Sequence, residues 1–229
     1  MAPKKIAFDI DVVLDAALDV VRRKGLEGLT ARAVAARLRS SVAPVYRAFR
    51  SMGDLERGVL EQSRRLLDEM TRREFTTIPF LNIGVGIVVF AREESRLFRA
   101  LFLSRHRGRD ILEGFQESVL DRMRTDAALR RLPESQLRRL LMSIWMYTLG
   151  LATAVVYGHL PGIAQEDLVR GLKDVGNALM FAEVSGIADS ESPENDREWE
   201  RQIREKGLVF PSREACKPGR SPKSDKEES

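Results

Sequence analysis

The sequence predicts an all-α protein in which a small N-terminal three-helix domain precedes a larger helical domain. Apolar residues recur at helical spacing through most of residues 9–184, and almost no segment alternates as a half-buried strand would. Helix-capping residues also begin the short segments in the first quarter of the chain. We place the first domain at 1–55 and the second at 56–187. We expect a disordered tail at 188–229, where serine, proline and charged residues dominate.

The first helix is predicted from Asp9, a capping residue, to Lys24, with Gly25 as the left-handed residue that ends it. Its apolar residues share one face: Ile10, Val13, Leu14, Ala17, Leu18 and Val21. We expect this face to support the two helices that follow.

A short second helix is predicted after Thr30, whose hydroxyl can cap it. Ala33, Val34 and Leu38 form its apolar face, and the helix ends near Leu38. Arg39 and Ser40 then make a tight turn.

The third helix follows this turn directly. Ser41 can cap it, with Val42 as the first residue and Pro44 as the third. Proline is tolerated there because the amides of the first helical turn lack intrahelical partners. Val45 and Phe49, four residues apart, face inward and hold the helix to the domain.

Two short helices around a tight turn are typical of a helix-turn-helix that binds double-stranded DNA, with the start of the second helix in the major groove. We expect contacts from the outer face of that helix, from the turn, from the start of the preceding helix and from the N-terminal lysines. The expected DNA-binding residues are Thr30, Arg32, Arg39, Ser41, Val42, Ala43, Tyr46, Arg47, Arg50, Lys4 and Lys5.

Ser51 begins a longer helix, since Asp54 three residues on completes a capping box. Its apolar residues keep helical spacing: Leu55, Val59, Leu60, Leu66, Leu67 and Met70. This helix would connect the two domains, so a small tilt at one end would move the other.

The positive charge of the chain lies in its first 50 residues. They contain ten Lys or Arg against five acids, a net of +5, whereas the whole chain carries +4. A basic domain beside a nearly neutral one suits phosphate binding, because counterion release supplies the sequence-independent part of the affinity. A solvated surface is the alternative, and the helix-turn-helix pattern favours DNA binding over it.

A run of motifs in about the first 60 residues carries a family resemblance. VLDAALDVVRRKGLEGLT is followed by AVAARL, then by VYRAF with Tyr46 and Phe49, then by Ser51 and Leu55. In this register the residues resemble the TetR/AcrR transcriptional regulators. The resemblance implies a dimeric repressor whose second domain takes an inducer, and ligand binding would spread the reading helices and weaken DNA binding.

Two residues depart from the pattern of that family. The family usually has glycine in the turn and lysine after the capping serine, whereas this chain has Arg39 and Met52. A left-handed conformation at Arg39 would cost roughly 1–2 kcal/mol, so the turn could be reshaped, with Arg39 reaching a phosphate. Without a lysine at Met52, DNA affinity would depend more heavily on Arg47, Arg50 and the N-terminal lysines.

Five helices are predicted in the second domain, near 79–93, 94–104, 110–125, 133–159 and 164–184. The fourth is apolar on more than one face and needs neighbours on both sides. The last two could pair with their copies in a homodimer, or they could complete a monomer core. A dimer would place two reading helices about 34 Å apart on one face of the duplex. The expected operator is therefore an inverted repeat.

Aromatic residues of the second domain are candidates for lining a pocket for a small-molecule effector. Few charges occur among them, which favours an apolar ligand, although core packing is the alternative for each residue. The expected ligand-binding residues are Phe90, Phe98, Phe102, Phe115, Trp145 and Tyr147.

The sequence offers little for catalysis, metals or cofactors. The single cysteine, Cys216, excludes a disulfide or zinc site within one chain and is typical of a cytoplasmic protein. His106 is expected to be solvated or part of an anion-binding surface, and His159 to complement a helix dipole. We therefore expect no enzyme, no metal and no cofactor. We expect no signal peptide, and the longest apolar segment, of about 15 residues, is short for a membrane span.

Two other functions remain open. A non-specific or architectural DNA-binding protein would bind unrelated duplexes equally, with a footprint that lacks symmetry. A helical enzyme could use the apolar domain as its substrate site, although acid–base and metal constellations are missing. The apolar residues of the tail could dock as a short helix: Trp199, Ile203, Leu208, Val209 and Phe210.

Overall fold

A computed structural model describes residues 8–104 and 109–185, together with Arg201 and Glu205. The regular structure in this part of the chain is entirely helical, which confirms the predicted fold class. The first four helices are α1 (Ile10–Lys24), α2 (Ala31–Arg37), α3 (Ala43–Ala48) and α4 (Met52–Thr71). They are followed by α5 (Pro79–Glu93), α6 (Ser95–Phe98), α7 (Arg109–Thr125), α8 (Glu134–Val156) and α9 (Gln165–Val184).

The chain divides after Val184, and the residues up to that point form one compact unit. The predicted tail, with the apolar residues expected to dock, lies outside the described residues except for Arg201 and Glu205, which are exposed. Lys4, Lys5 and His106 also lie outside them.

Helix α1 has the predicted ends. The Asp9 carboxylate accepts a hydrogen bond from the backbone N–H of Ile10 at 2.7 Å, and the N–H of Gly25 donates to the carbonyl of Val21. Gly25 has φ 73° and ψ 176°. Its φ is positive, as predicted, but its ψ lies outside the left-handed helical region and in one that essentially only glycine occupies. A single 3₁₀ turn, Leu26–Gly28, then leads to α2.

Helix α4 runs unbroken for 20 residues from the N-terminal helices to the larger helical layer. The hydroxyl of Ser51 accepts a hydrogen bond from the N–H of Asp54 at 3.1 Å, so the predicted cap is confirmed. Near its start, at Gly58, α4 packs against Leu14 of α1. The proposed domain boundary at 55/56 therefore falls within a continuous helix.

Helix α5 lies at the centre of the larger layer. Pro79 is its first residue, where its missing N–H costs nothing. All residues from Asn82 to Ala91 are buried, because α5 packs against α4, α8 and α9. The predicted helix at 94–104 is shorter than expected: α6 ends at Phe98 and continues as a π-helical turn, Arg99–Leu103.

Helix α8 ends at Val156, three residues earlier than predicted. Gly158 has φ 73° and its N–H donates to the carbonyl of Val155, while the N–H of His159 donates to that of Ala154. These two bonds define a Schellman motif, which ends the helix. His159 consequently lies beyond the helix and its ring stacks against Tyr157.

Helix α8 is also the one helix in the described ranges that is long and apolar enough to cross a membrane. A single helix of this kind is weak evidence for a span, since core helices of water-soluble proteins pass the same test. Leu140, Thr148 and Ala152 are buried against the rest of the protein. Met142 and Met146, on another face, are more than half exposed.

Candidate DNA-binding surface and ligand cavity

The turn between α2 and α3 keeps a left-handed residue despite its side chain. Thr30 caps α2 as predicted, its hydroxyl accepting from the N–H of Ala33 at 3.1 Å. At the other end, the N–H of Arg39 donates to Ala36 and that of Ser40 donates to Ala35, a second Schellman motif. Arg39 has φ 51°. The turn is therefore not reshaped.

Helix α3 begins one residue later than predicted, at Ala43, with Val42 in the capping position. Val42 has helical dihedral angles, φ −71° and ψ −14°, and no side chain caps the helix. A capping side chain needs an extended backbone to fold back onto the first turn. The prediction of Ser41 as the cap is therefore wrong. Pro44, the second helical residue, and Val45 are buried and anchor the helix, as predicted for Val45.

The predicted DNA-binding residues that the structure describes all lie at the surface. Thr30 and Arg32 begin α2, Arg39 occupies the turn, and the others lie at the start, on the outer face or just after α3. The exposed residues are Thr30, Arg32, Arg39, Ser41, Val42, Ala43, Tyr46, Arg47 and Arg50. Nine of the eleven expected residues are thus exposed at the start of α2, in the turn and on or next to α3, and their contacts with DNA stay a prediction.

The arginines of the N-terminal helices fall into two groups. Arg23 and Arg37 both pair with Asp19, and the hydrogen bond from Arg37, together with these charges, lowers the pKa of that carboxyl. Within the described part of the chain, by contrast, Arg32, Arg39 and Arg50 form no ion pair. The arginines around α3 therefore keep their charge available for phosphates, whereas those on α1 and at the end of α2 are used within the protein.

The C-terminal end of α1 is tied to the larger layer by α6 and the residue before it. Arg22 makes a bidentate ion pair with Glu94, with distances of 3.0 Å from Nε to Oε2 and 2.7 Å from Nη2 to Oε1. Arg96 donates to the backbone carbonyls of Arg22 and Arg23. A cation at the last carbonyls of a helix also complements the helix dipole. This connection could not be predicted from the sequence, because its partners are more than 70 residues apart.

A second connection joins the start of α4 to α7. Arg57 donates to Asp110 at 2.6 Å, and this hydrogen bond lowers the pKa of the Asp110 carboxyl. Both side chains are more than half exposed, so the pair contributes little to stability. It links the first half of α4 to the start of α7.

An apolar cavity lies between α5, α8 and α9. Its volume is about 100 Å³, several times the roughly 10–15 Å³ that one water needs. Its wall includes Ile83, Gly84, Ile87, Ile144, Trp145, Thr148, Leu172, Gly176 and Met180. Asp126, Lys173 and Asn177 also line it, and the last two are exposed. The cavity is therefore apolar inside with polar residues at its outer edge.

Of the six predicted ligand-binding residues, only Trp145 lines this cavity. Phe98 stacks on Phe102 with ring centroids 4.6 Å apart, and Trp145 lies 5.9 Å from both Phe102 and Phe115. Phe98 and Phe115 are fully buried in this aromatic cluster behind the cavity wall. Phe90 is also fully buried, and Tyr147 is 36% exposed. Aromatic content located the neighbourhood of the cavity but not its wall.

The residues that sequence reasoning missed are small or aliphatic. Gly84 and Gly176 face the cavity from α5 and α9, and a Cβ at Gly176 would meet no atom within 4 Å. Thr148 faces it from α8. Small residues at helical spacing in apolar helices could have indicated the cavity wall, but the same pattern also indicates close packing of two helices. Among the described residues, no group of three His, Cys, Asp or Glu could hold a metal ion.

This combination of an exposed helix-turn-helix and a separate helical layer defines a class of DNA-binding transcriptional regulators. Residues 13–57 match the family model for bacterial regulatory proteins of the tetR family. The match covers the helix-turn-helix and the start of α4, so this part of the chain is similar to the DNA-binding domain of that family. A sequence comparison with curated proteins gives no significant match.

Solved structures with this fold span most of the chain at low sequence identity. A TetR-family transcriptional regulator from Streptomyces coelicolor aligns with a TM-score of 0.66 and 16% identity, over 86% of this chain and 97% of that one. A TetR-like regulator from Rhodococcus sp. RHA1 gives 0.52 and 17%, over 81% and 100%. The multidrug binding protein EbrR, solved with imidazole, gives 0.52 and 19%, over 72% and 93%. At these identities the likeness concerns the fold.

Proposed function

We propose that this regulator is a homodimeric repressor that binds an inverted-repeat operator through α3 and leaves it when an apolar ligand occupies the cavity. The observation that carries the proposal is the continuity of α4. This helix begins next to α3 and ends against α5, whose opposite side forms the cavity wall. Cavity and reading helix are thus joined by two helices in direct contact.

The apolar faces of α8 and α9 support the dimer. Met142 and Met146, one helical turn apart on α8, are more than half exposed, and so are Phe181 and Val184 at the end of α9. Adjacent exposed apolar residues of this size mark an interaction surface. The buried carboxylate of Glu183, paired with α8 at 2.9 Å, holds the two helices together as one surface. A two-fold axis through this surface would produce a four-helix interface.

The route from the cavity to α3 passes through two glycines of α5. Gly84 lies at the cavity, where a Cβ would stand 3.5 Å from Leu172 and 3.6 Å from Thr148. Gly86 lies against the end of α4, where a Cβ would stand 2.7 Å from both the carbonyl oxygen of Met70 and the Cα of Thr71. The backbones of α4 and α5 are therefore in direct contact. A ligand that displaced α5 would push the end of α4.

Arg122 of α7 holds the same end of α4. It donates to the hydroxyl of Thr71 at 3.0 Å and to the backbone carbonyl of Thr71 at 2.9 Å. Because these bonds stabilise the last turn of α4, a movement of α5 would tilt the helix about its packing on α1 rather than unwind that turn. The tilt would change the spacing of the two α3 helices. A coupling of about 1–3 kcal/mol is sufficient for regulation.

Selection of bound sequences from random duplex DNA, followed by footprinting, tests the DNA half of the proposal. We expect an inverted repeat with half-sites one helical turn or a multiple of it apart, and a footprint with two-fold symmetry. Equal binding to unrelated duplexes, without symmetry, would instead identify an architectural DNA-binding protein.

Sedimentation of a Met146→Glu variant tests the dimer. We expect wild type to sediment as a dimer and the variant as a monomer, because a carboxylate would be buried without a partner in the interface. Glu113→Gln, which alters a residue of α7 away from this face, is the control and should remain dimeric. A monomeric wild type would refute the dimer, and a dimeric Met146→Glu variant would place the interface elsewhere.

A further inference from the structure

We infer that the cavity takes a neutral, mainly apolar molecule with one hydrogen-bonding group, and that this group pairs with the hydroxyl of Thr148. The inference rests on the proposed ligand-binding function of the cavity and specifies the chemistry of its ligand. It concerns a residue that neither composition nor motif distinguishes.

The hydroxyl of Thr148 is buried and has no partner. Thr148 is 1% exposed, and its Oγ1 accepts and donates no hydrogen bond in the structure. A threonine inside a helix ordinarily bonds the carbonyl four residues earlier. Here that bond is absent, and a buried polar group without a partner calls for an explanation. An unpaired hydroxyl in a cavity wall is available to a ligand.

The surroundings of Thr148 direct this hydroxyl toward the open space. Across from it, Gly84 has no side chain, and a Cβ there would stand 3.6 Å from Oγ1, at ordinary contact distance. Leu172 and Ile144, which share the cavity wall with Thr148, are apolar. The hydroxyl is therefore the polar atom in an otherwise hydrocarbon part of the wall, and it fixes the orientation of any molecule that carries one polar group.

The charged residues of the cavity wall, Asp126 and Lys173, have opposite signs, so the wall carries no net charge that would attract a cation. The Asp126 carboxylate already accepts from the backbone N–H groups of Ala128 and Leu129, at 2.9 and 3.3 Å from one oxygen. Lys173 adds a positive charge at the exposed edge. A cation next to Thr148 would also lose its hydration without a counter-ion. The Thr148 hydroxyl can both donate and accept a hydrogen bond, so alcohols, phenols and carbonyl compounds could all pair with it.

Calorimetric titration of the full-length protein with matched probes tests the inference. The probes are 1-naphthol, 1-methylnaphthalene, in which a methyl replaces the hydroxyl, and (1-naphthylmethyl)ammonium, which adds a charge. We expect wild type to bind 1-naphthol about tenfold more tightly than 1-methylnaphthalene, as one additional hydrogen bond allows. The ammonium probe should bind more weakly than both.

Three variants locate the effect. Thr148→Val keeps the shape but removes the hydroxyl, so the preference for 1-naphthol should disappear while 1-methylnaphthalene binds as tightly as before. Thr148→Ser keeps the hydroxyl and should restore most of the preference. Gly176→Leu fills the cavity from α9 and should weaken both neutral probes at least about tenfold, because a Cβ there meets no protein atom within 4 Å and the rest of the side chain would occupy ligand space.

The outcomes separate this inference from the proposed function. Equal affinity for the two neutral probes, a preference that survives Thr148→Val, or tighter binding of the ammonium probe would each overturn the inference. If Gly176→Leu still abolished binding in those cases, the cavity would remain the ligand site. Failure of both neutral probes to bind wild type would overturn the inference as well, whereas the operator experiment judges DNA binding independently. Probe binding as expected without DNA release would refute only the release step.

Discussion

The helix-turn-helix and the cavity differ in the sequence separation of the residues that form them. Around α2 and α3, each feature depends on residues within about five positions of one another. The Thr30 hydroxyl caps α2 by accepting from the N–H of Ala33. The N–H groups of Arg39 and Ser40 donate to the carbonyls of Ala36 and Ala35. The cavity wall instead combines Gly84, Thr148 and Leu172, which lie far apart in sequence. The proposed reading helix, α3, is a local structure on a rigid support, whereas the cavity exists only after three helices have packed.

The largest effect expected on folding comes from the contact between α5 and α4. In Gly86→Ala, the added Cβ would lie 2.7 Å from backbone atoms of Met70 and Thr71, so one helix must move. We expect a loss of about 1–3 kcal/mol in the free energy of unfolding, as for other overpacked cores. Chemical denaturation measures it.

Gly84→Ala is the matched control for that experiment, since its Cβ would meet Leu172 and Thr148 at ordinary contact distances. This variant should change stability by less than about 1 kcal/mol. Equal effects of the two substitutions would mean that the α4–α5 contact has no special role, and the proposed route from the cavity to α3 would lose its basis.

A smaller effect, of opposite sign, is expected at the DNA-binding end. Arg39 and Gly158 occupy the same position of a Schellman motif with φ 51° and 73°. Arg39→Gly removes the strain of a side chain in the left-handed region and should stabilise the protein by about 0.5–1 kcal/mol. Thermal unfolding at a fixed protein concentration measures it.

The reverse substitution, Gly158→Ala, should destabilise by a similar amount, because no neighbour within 4 Å would clash with the added Cβ and only the backbone strain changes. If Arg39→Gly were neutral or destabilising while Gly158→Ala behaved as expected, Arg39 would have to make a compensating contact in the free protein. The same variant should bind DNA more weakly if Arg39 reaches a phosphate.

The smallest effect concerns the link between the two ends. Glu94→Gln removes the charge that pairs with Arg22, and because both side chains are partly exposed we expect a loss of only about 0.2–1 kcal/mol in stability. Stability should respond to salt less in the variant than in wild type. The contrary result, unchanged salt dependence, would show that the pair does not hold α1 to the larger layer in solution.

The sequence was sufficient for the parts of the fold that depend on local rules. The caps at Asp9, Thr30 and Ser51 were predicted correctly, because a cap needs only one side chain and the amides of the next turn. The helix pattern of the second domain was predicted as well, although α8 ends earlier because Gly158 closes a Schellman motif. Ser41 was wrongly predicted as a cap, since Val42 occupies the capping position and no side chain caps α3.

The cavity could not be predicted in the same way. Aromatic residues were expected to line it, but Phe98 and Phe115 fill the core with Phe102 behind the wall. Large side chains fill the space between helices, whereas small residues leave part of it empty. The cavity is therefore lined by residues such as Gly84, Gly176 and Thr148. Which small residues face a cavity depends on helix packing, and that information is not present in the spacing of any one helix.

Binding of the selected operator by Arg47→Ala tests most directly the central claim that α3 reads the DNA. Arg47 is exposed on α3, and its Nε lies 3.4 Å from the carbonyl of Ala43 in its own helix. Arg130→Ala, which removes the same charge from an exposed position after α7, is the control. We predict that Arg47→Ala loses about 1–3 kcal/mol of binding free energy per half-site, while Arg130→Ala binds as wild type. Equal operator affinity for both variants and wild type would contradict the assignment of α3 as the reading helix.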